Sequence, residues 1–448
     1  MPTTQAPGYR AVFAVREFRF VFTAHLFSLL GVVVSELALT VLVYDLTRSP
    51  LLSSLTFALG FLPYLLGGTL LAGFADRFPP RRVLVVCDLV CAGCVALMVL
   101  PTTPVAALLV LRCAVAAVAP VFQGTRLATL ADILGEGELF VLGRSLLRIL
   151  SQSALLAGFG AGGLLLTAVT PRGAMAVTAA TFLASAALLR CGTARRPARA
   201  AATATATATA TGGRREGVGA TWGVLRDRRI RALMLLFWVP PMFAVVPEAL
   251  AAPYADRIGA SSAALGLLMC AMPVGTVLGE LLAGSALSAA TRARLVLPLL
   301  LASFPPFLLY ALRPGLVLAA AALFLAGAAG AYTLGLDAWF VDAVPEERRG
   351  RAMTLMSAGM MTVQGLGMAG AGLVAEFVPV HAVVAGAGAL ATLVLAVLAL
   401  EVRASAPRPS GGRGSDGRPS GGRGSDGRAS AVSATERRDT AERPVASG

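Results

Sequence analysis

Lysine is absent from this chain of 448 residues, and its positive charge rests on 38 Arg. Without a lysine no phosphate-cradling Gly-x-x-x-x-Gly-Lys loop can form, so ATP-driven work by this chain alone is not expected. His25 and His381 are the only histidines, and neither has metal-ligand or catalytic-triad spacing around it. With no recognisable group of nucleophile, base and orienting residue, no enzyme activity, metal or cofactor is expected. Charged residues make up only 14% of the chain, against about 25% in soluble domains, which excludes an ordinary water-soluble protein. Most of the six Cys lie inside apolar blocks and offer no extracellular disulfide framework. Cys87, Cys91 and Cys94 share one helical face, a spacing that suits a metal or redox site but is expected to serve as small side chains packing between helices.

What remains is apolar. The chain is 56% hydrophobic, with a mean hydropathy of +0.76. The apolar material comes in blocks of about 20 residues, each long enough at about 1.5 Å per residue to cross a hydrocarbon core of about 30 Å. These blocks predict spans near 19–44, 51–74, 83–100, 104–124, 146–168 and 173–190, then 231–254, 263–287, 295–312, 314–337, 352–377 and 380–402. The net charge of +14 permits nucleic-acid binding in principle, but Arg is scarce inside the blocks and concentrated between them, as basic cytoplasmic loops require. With the N-terminus inside, the short inside loops hold eleven Arg and the outside loops only Arg48, Arg172, Arg257 and Arg313. Both termini are therefore expected in the cytoplasm, in a bacterial inner membrane, the lysine-free composition suggesting a GC-rich bacterial genome. The first span is long and contains Glu36, so it reads as uncleaved.

The expected layout is a cytoplasmic N-terminus over 1–18, a six-helix bundle over 19–190, a cytoplasmic linker over 191–230, a second bundle over 231–402 and a disordered cytoplasmic tail over 403–448. The linker holds an Ala-Thr run followed by Arg214, Arg215, Arg226, Arg228 and Arg229, which reads as a solvated tether or as a segment resting on anionic headgroups. The tail repeats a ten-residue Arg, Gly, Ser and Pro pattern from Arg408 and from Arg418, and cannot bury enough to fold.

The two halves repeat. An offset of 210 brings Arg226, Asp227 and Arg229 onto Arg16, Glu17 and Arg19, Pro273 onto Pro63, Arg292 onto Arg82, Asp342 onto Asp132, Gly370 onto Gly160 and Gly372 onto Gly162. One offset holding from first span to fifth implies two bundles of like orientation, related by an axis along the membrane normal, with a site between them near the midplane.

The segment Ala75-Asp76-Arg77-Phe78-Pro79-Pro80-Arg81-Arg82 resembles the signature cytoplasmic loop of the major facilitator superfamily, with Ala72 where the family has Gly and prolines after the Asp-Arg. The resemblance implies a twelve-helix, all-α transporter in which Asp76, Arg77, Arg81 and Arg82 serve the cytoplasmic gate; Asp88, Asp337 and Asp342, at predicted span ends, are read as gate or cap residues. Ala154, Gly158, Gly162 and Gly163 in the fifth span look like an antiporter motif lacking its first Gly and its Pro, and equally like generic small-residue packing. From Ser28-Leu29-Leu30-Gly31 through Leu42–Pro50 to Cys87-Asp88 the chain is similar to the drug- and macrolide-exporter branch, a resemblance that covers about 10–402.

Charges inside spans are the candidate working groups, because each costs several kcal/mol unless paired, hydrated or neutralised. Glu36 is the first, as a proton-coupling carboxylate or a structural partner. Arg112 stands alone in the fourth span; Leu108 to Arg112 resembles the start of a drug-antiporter motif, and because a guanidinium cannot deprotonate it needs a carboxylate, with Glu36 or Asp88 expected. Glu248 and Glu280 are further candidates, and Gln152 and Gln364 are read as route-lining or interhelical amides. The resulting expectation is a monomeric exporter that exchanges an amphipathic small molecule for protons across the lipid bilayer without nucleic acid. An uptake symporter or facilitator on the same fold is the alternative, and a non-transporting receptor or scaffold a third.

Overall fold

The computed structural model describes residues 9–66, 77–135, 137–197 and 227–405, and every regular element among them is helical. Lipid dictates this, since backbone groups in hydrocarbon must be satisfied within the segment. A short helix, Tyr9–Ala14, leads into the first six spans: α1 (Arg16–Thr47), α2 (Pro50–Leu66), α3 (Pro80–Val99), α4 (Val105–Leu134), α5 (Glu138–Ala168) and α6 (Pro171–Gly192). In the second half, α7 is a broken span from Arg228 to Arg257, α8 is Ser262–Ala286, α9 joins Ala289–Ala302 to the 3-10 turn Pro305–Leu312, α10 joins Leu316–Ala329 to Tyr332–Ala343, α11 is Glu346–Ala375 and α12 is Val380–Ser405. Eleven of these, among the described residues, are long and apolar enough to cross a membrane, and the shorter apolar stretch Pro50–Leu62 in α2 fills the remaining position.

Helix starts are set locally. Asp227 accepts from the Arg229 and Ile230 amides, Ser261 from Ala264 and Ser288 from Thr291, each satisfying amides that a first turn leaves open. Pro80 and Pro171 open α3 and α6, where a missing N–H costs nothing. Two predicted boundaries are corrected: α4 runs on to Leu134 and α5 begins at Glu138. Hydropathy marks only the part of a helix that lies in lipid, whereas these two continue beyond it, so Arg126, Arg144 and Arg148 sit on helices rather than in a loop.

Within the first bundle α1 packs on α5 and α6, and α3 on α4 and α6; within the second α8 packs on α10, and α7 on α11 and α12. The bundles meet through α2 against α11 and α5 against α8, two crossings that the internal repeat interchanges. We call the side holding Arg16, Arg196 and Arg228 the terminal side and its opposite the distal side. Toward the distal end both crossings are close: a Cβ on Gly163 would lie 2.7 Å from the Gly266 Cα, and one on Gly372 would run into the Ser54 hydroxyl, with the Leu51 Cα 3.0 Å away. Only glycine fits at these two positions, which lie one residue out of register with each other in the repeat: Gly372 matches Gly162, and Gly163 is its neighbour.

Polar latches complete the distal seal. Asp256 at the end of α7 meets Arg48 at 3.3 Å and the Tyr44 hydroxyl at 3.4 Å. Glu376, just past α11, accepts from the Ser49 hydroxyl and from the Leu51 amide at 3.0 Å, so a carboxylate of one bundle caps the first turn of α2 in the other.

Candidate transport site

Glu36 and Arg112 form an ion pair at 2.5 Å, with side chains only 14% and 9% exposed. Arg112 also donates through Nε to the Thr56 carbonyl at 3.0 Å, so the pair ties α1, α2 and α4 together. Its partner is therefore Glu36 rather than Asp88. Gly60 makes room for it, since a Cβ there would sit 3.2 Å from the Glu36 Oε1 and closer still to the Arg112 guanidinium. Gly60→Val is expected to force the pair apart and to reduce transport at least as severely as Glu36→Gln, measured at equal membrane expression; wild-type transport would show that the pair tolerates displacement.

Asp88 requires a correction of place. It lies two turns inside α3 and is 1% exposed, where it accepts from the Ser28 hydroxyl at 3.2 Å and the Ser185 hydroxyl at 2.5 Å. Asp88, Glu36 and Arg112 line one cavity of about 200 Å³ within the first bundle, together with Phe61, Phe122 and Phe182. His25 lines it too and bonds to Arg126 and, at 3.4 Å, to Ser151.

A second chamber of about 250 Å³ lies between the bundles, on the terminal side of the distal seal. Its wall is Leu155, Met269, Met272, Leu323 and similar apolar groups, interrupted by Gln152, Thr276 and Glu248. Gln152 is exposed, so the chamber is open. Glu248 sits on the four-residue helix Val246–Ala249, between breaks at Val245 and Leu250, where Pro240, Pro241 and Pro247 each remove a ladder donor. It has no hydrogen-bond or ion-pair partner among the described residues, and it lies close enough to Glu36 to feel that charge. At the 210-residue offset of the repeat Glu248 falls on Ala38, two residues past Glu36, so the two carboxylates are not equivalent positions of the two halves. Glu36 is paired and, among the described residues, Glu248 is not.

Further toward the terminal side, Glu280 accepts from the Thr333 hydroxyl at 3.2 Å, and Asp337 feels both Glu280 and Arg148 of the other bundle. Arg148 and the serines around Asp88 have no sequence signature; only the packing reveals them. Gln364 is half-buried on α11 and does not line the interbundle chamber. Ala154 is buried, Gly158 faces Val33 and Gly162 faces Leu37, so the small-residue motif seats α5 on α1 before Gly163 seats it on α8. Of the gate candidates, Asp76 lies outside the described residues; Arg77, Arg82 and Asp342 are exposed; and Arg81 donates to the Arg190 carbonyl, within its own bundle. In the linker, Arg196 holds Glu17 through two bonds of 2.5 and 2.9 Å, and residues 198–226 and 406–448 lie outside the described part.

Two six-helix bundles closing around an interior chamber define the class, a multi-pass membrane transporter. The sequence profile of the Major Facilitator Superfamily matches residues 21–247 and 241–444, and the chain belongs to that superfamily. No curated protein sequence matches it significantly. Among solved structures, a mutant of the nucleoside transporter NupG is similar with a TM-score of 0.65 at 14% identity, over 85% of this chain and 99% of that one. A peptide transporter, POT, in complex with sulfate gives 0.63 at 14%, over 89% and 99%. A bacterial homologue of the human lysosomal transporter Spinster, inward-facing and unoccupied, gives 0.58 at 15%, over 87% and 95%. At these identities the likeness is one of fold.

Proposed function

We propose that the chain is a proton-coupled exporter of amphipathic small molecules, drug-like or secondary metabolites, working by alternating access in a bacterial inner membrane with both termini in the cytoplasm. The observation that carries this reading is Glu248, a carboxylate without a partner among the described residues, in a mostly apolar chamber between the bundles. Such a carboxylate is tolerated in lipid only with a proton or a cation beside it. A cationic amphipath fits both demands, its apolar body on the methionine and leucine wall and its charge on Glu248. Proton and substrate then compete for one group, which is exchange.

The distal seal supports a chamber that loads from the cytoplasm. Opening it must break the Arg48–Asp256 and Glu376 latches, while Arg148, Asp337 and Glu280 draw the terminal ends together. Glu36–Arg112 is the second coupling element, because protonating Glu36 discharges its half of the pair.

The test is accumulation of lipophilic cationic dyes in an efflux-deficient bacterium, with and without a protonophore. Lower accumulation that the protonophore reverses, and that Glu36→Gln loses, is the expected result. Export that persists after the gradient collapses would overturn proton coupling, and protonophore-sensitive uptake would overturn the direction.

A further inference from the structure

On the outside of the first bundle, where α3 and α6 leave the membrane on the terminal side, a cavity of about 540 Å³ is lined by Arg81, Arg82, Arg190, Arg195 and Arg196, with no acidic residue among the described residues of its wall. Two of these five are already engaged: Arg81 donates to the Arg190 carbonyl, and Arg196 is held by Glu17 with Asp132 nearby. Arg82, Arg190 and Arg195 are exposed and have no ion-pair partner among the described residues. Three unneutralised guanidinium groups around one concavity repel one another, so the site is built for an anion.

The rest of the wall says which anion. Val86 and Leu89, 55% and 47% exposed, form its apolar floor, and the same face of α3 continues through Val90 to Leu97. Arg82 thus heads an apolar stripe of 15 residues, about 22 Å at the helical rise, the length of an acyl chain. A free phosphate has no use for such a stripe. We propose that this groove is a binding site for an anionic phospholipid, its phosphate held by Arg82, Arg190 and Arg195 and its acyl chain laid along α3. The site is independent of the transport chamber and adds a lipid requirement to whatever the chamber carries.

The test is native mass spectrometry and thermal melting of the purified full-length chain in detergent, titrated with phosphatidylglycerol, phosphatidylcholine or inorganic phosphate. The expected result is a retained phosphatidylglycerol adduct and a raised melting temperature that neither of the others reproduces. The Arg82→Gln/Arg190→Gln/Arg195→Gln variant should lose affinity on the order of a hundredfold. Arg144→Gln/Arg294→Gln/Arg403→Gln, of equal charge change on other exposed arginines, should retain it. Equal binding of phosphatidylcholine, saturation by inorganic phosphate alone, or an undiminished response in the first variant would overturn the proposal. Should the triple variant fail to fold, Arg195→Gln alone, outside any helix, carries the same test with a smaller expected loss.

Discussion

Replacing Arg112 with methionine is expected to destabilise the folded protein by about 3–5 kcal/mol and to abolish transport, because it leaves the largely buried Glu36 carboxylate without its partner. The magnitude follows from burial: both side chains are nearly closed off, and the bond between them is short. Removing one partner leaves the full desolvation penalty of the other, whereas removing both charges leaves none. Glu36→Gln/Arg112→Met is therefore expected to melt near the wild-type temperature in detergent while still failing to transport. That split between stability and function is the signature of a coupling pair rather than a merely structural one. A single variant that melts at the wild-type temperature would show that the pair bears no weight in the fold.

Gly163→Val is expected to have a comparable effect on the conformational balance. The added Cβ meets the backbone of Gly266, which cannot turn aside as a side chain can. Overpacking at such a crossing costs about 3 kcal/mol, and a penalty of that size shifts a two-state equilibrium roughly a hundredfold toward the arrangement in which the crossing is apart. Cys270, on α8 at this same crossing, with its thiol 3.4 Å from the Leu156 carbonyl, is a native reporter. A membrane-impermeant maleimide applied from the distal side should label Cys270 much faster in Gly163→Val than in the wild type. Unchanged labelling with unchanged transport would show that the distal seal does not rest on this glycine contact.

Much of the fold was legible because lipid makes few demands and enforces all of them. Apolar blocks of spanning length read out as helices, and the repeat that matches Gly372 to Gly162 marks the region of α5 and α11 where the bundles cross, although the crossing glycine of α5 is the neighbouring Gly163. That Arg112 needs a carboxylate was legible for the same reason, since a guanidinium in hydrocarbon has to find one, but the choice of Glu36 over Asp88 needed the packing. What escaped is whatever depends on packing rather than on solvent. The extension of α4 to Leu134 carries Arg126 and Asp132 and so falls outside the apolar block that a hydropathy reading follows. Asp88 passed for an end residue because its neutralisation by Ser28 and Ser185 needs the fold of α1 and α6 around it. Glu248 was one candidate among several, and its distinction, having no partner, is a property of its surroundings that no spacing encodes.

The measurement that bears most directly on the central claim is dye exchange in proteoliposomes under an imposed pH gradient, comparing the wild type with Glu248→Gln. The wild type is expected to move a cationic dye against its concentration gradient only when protons flow the other way, with dye affinity weakening as the loading side is acidified. Glu248→Gln is expected to have lost both the coupling and the pH dependence while remaining folded. Gradient-driven dye movement that survives in Glu248→Gln would contradict the account, because the group on which proton and substrate are held to compete would then be dispensable.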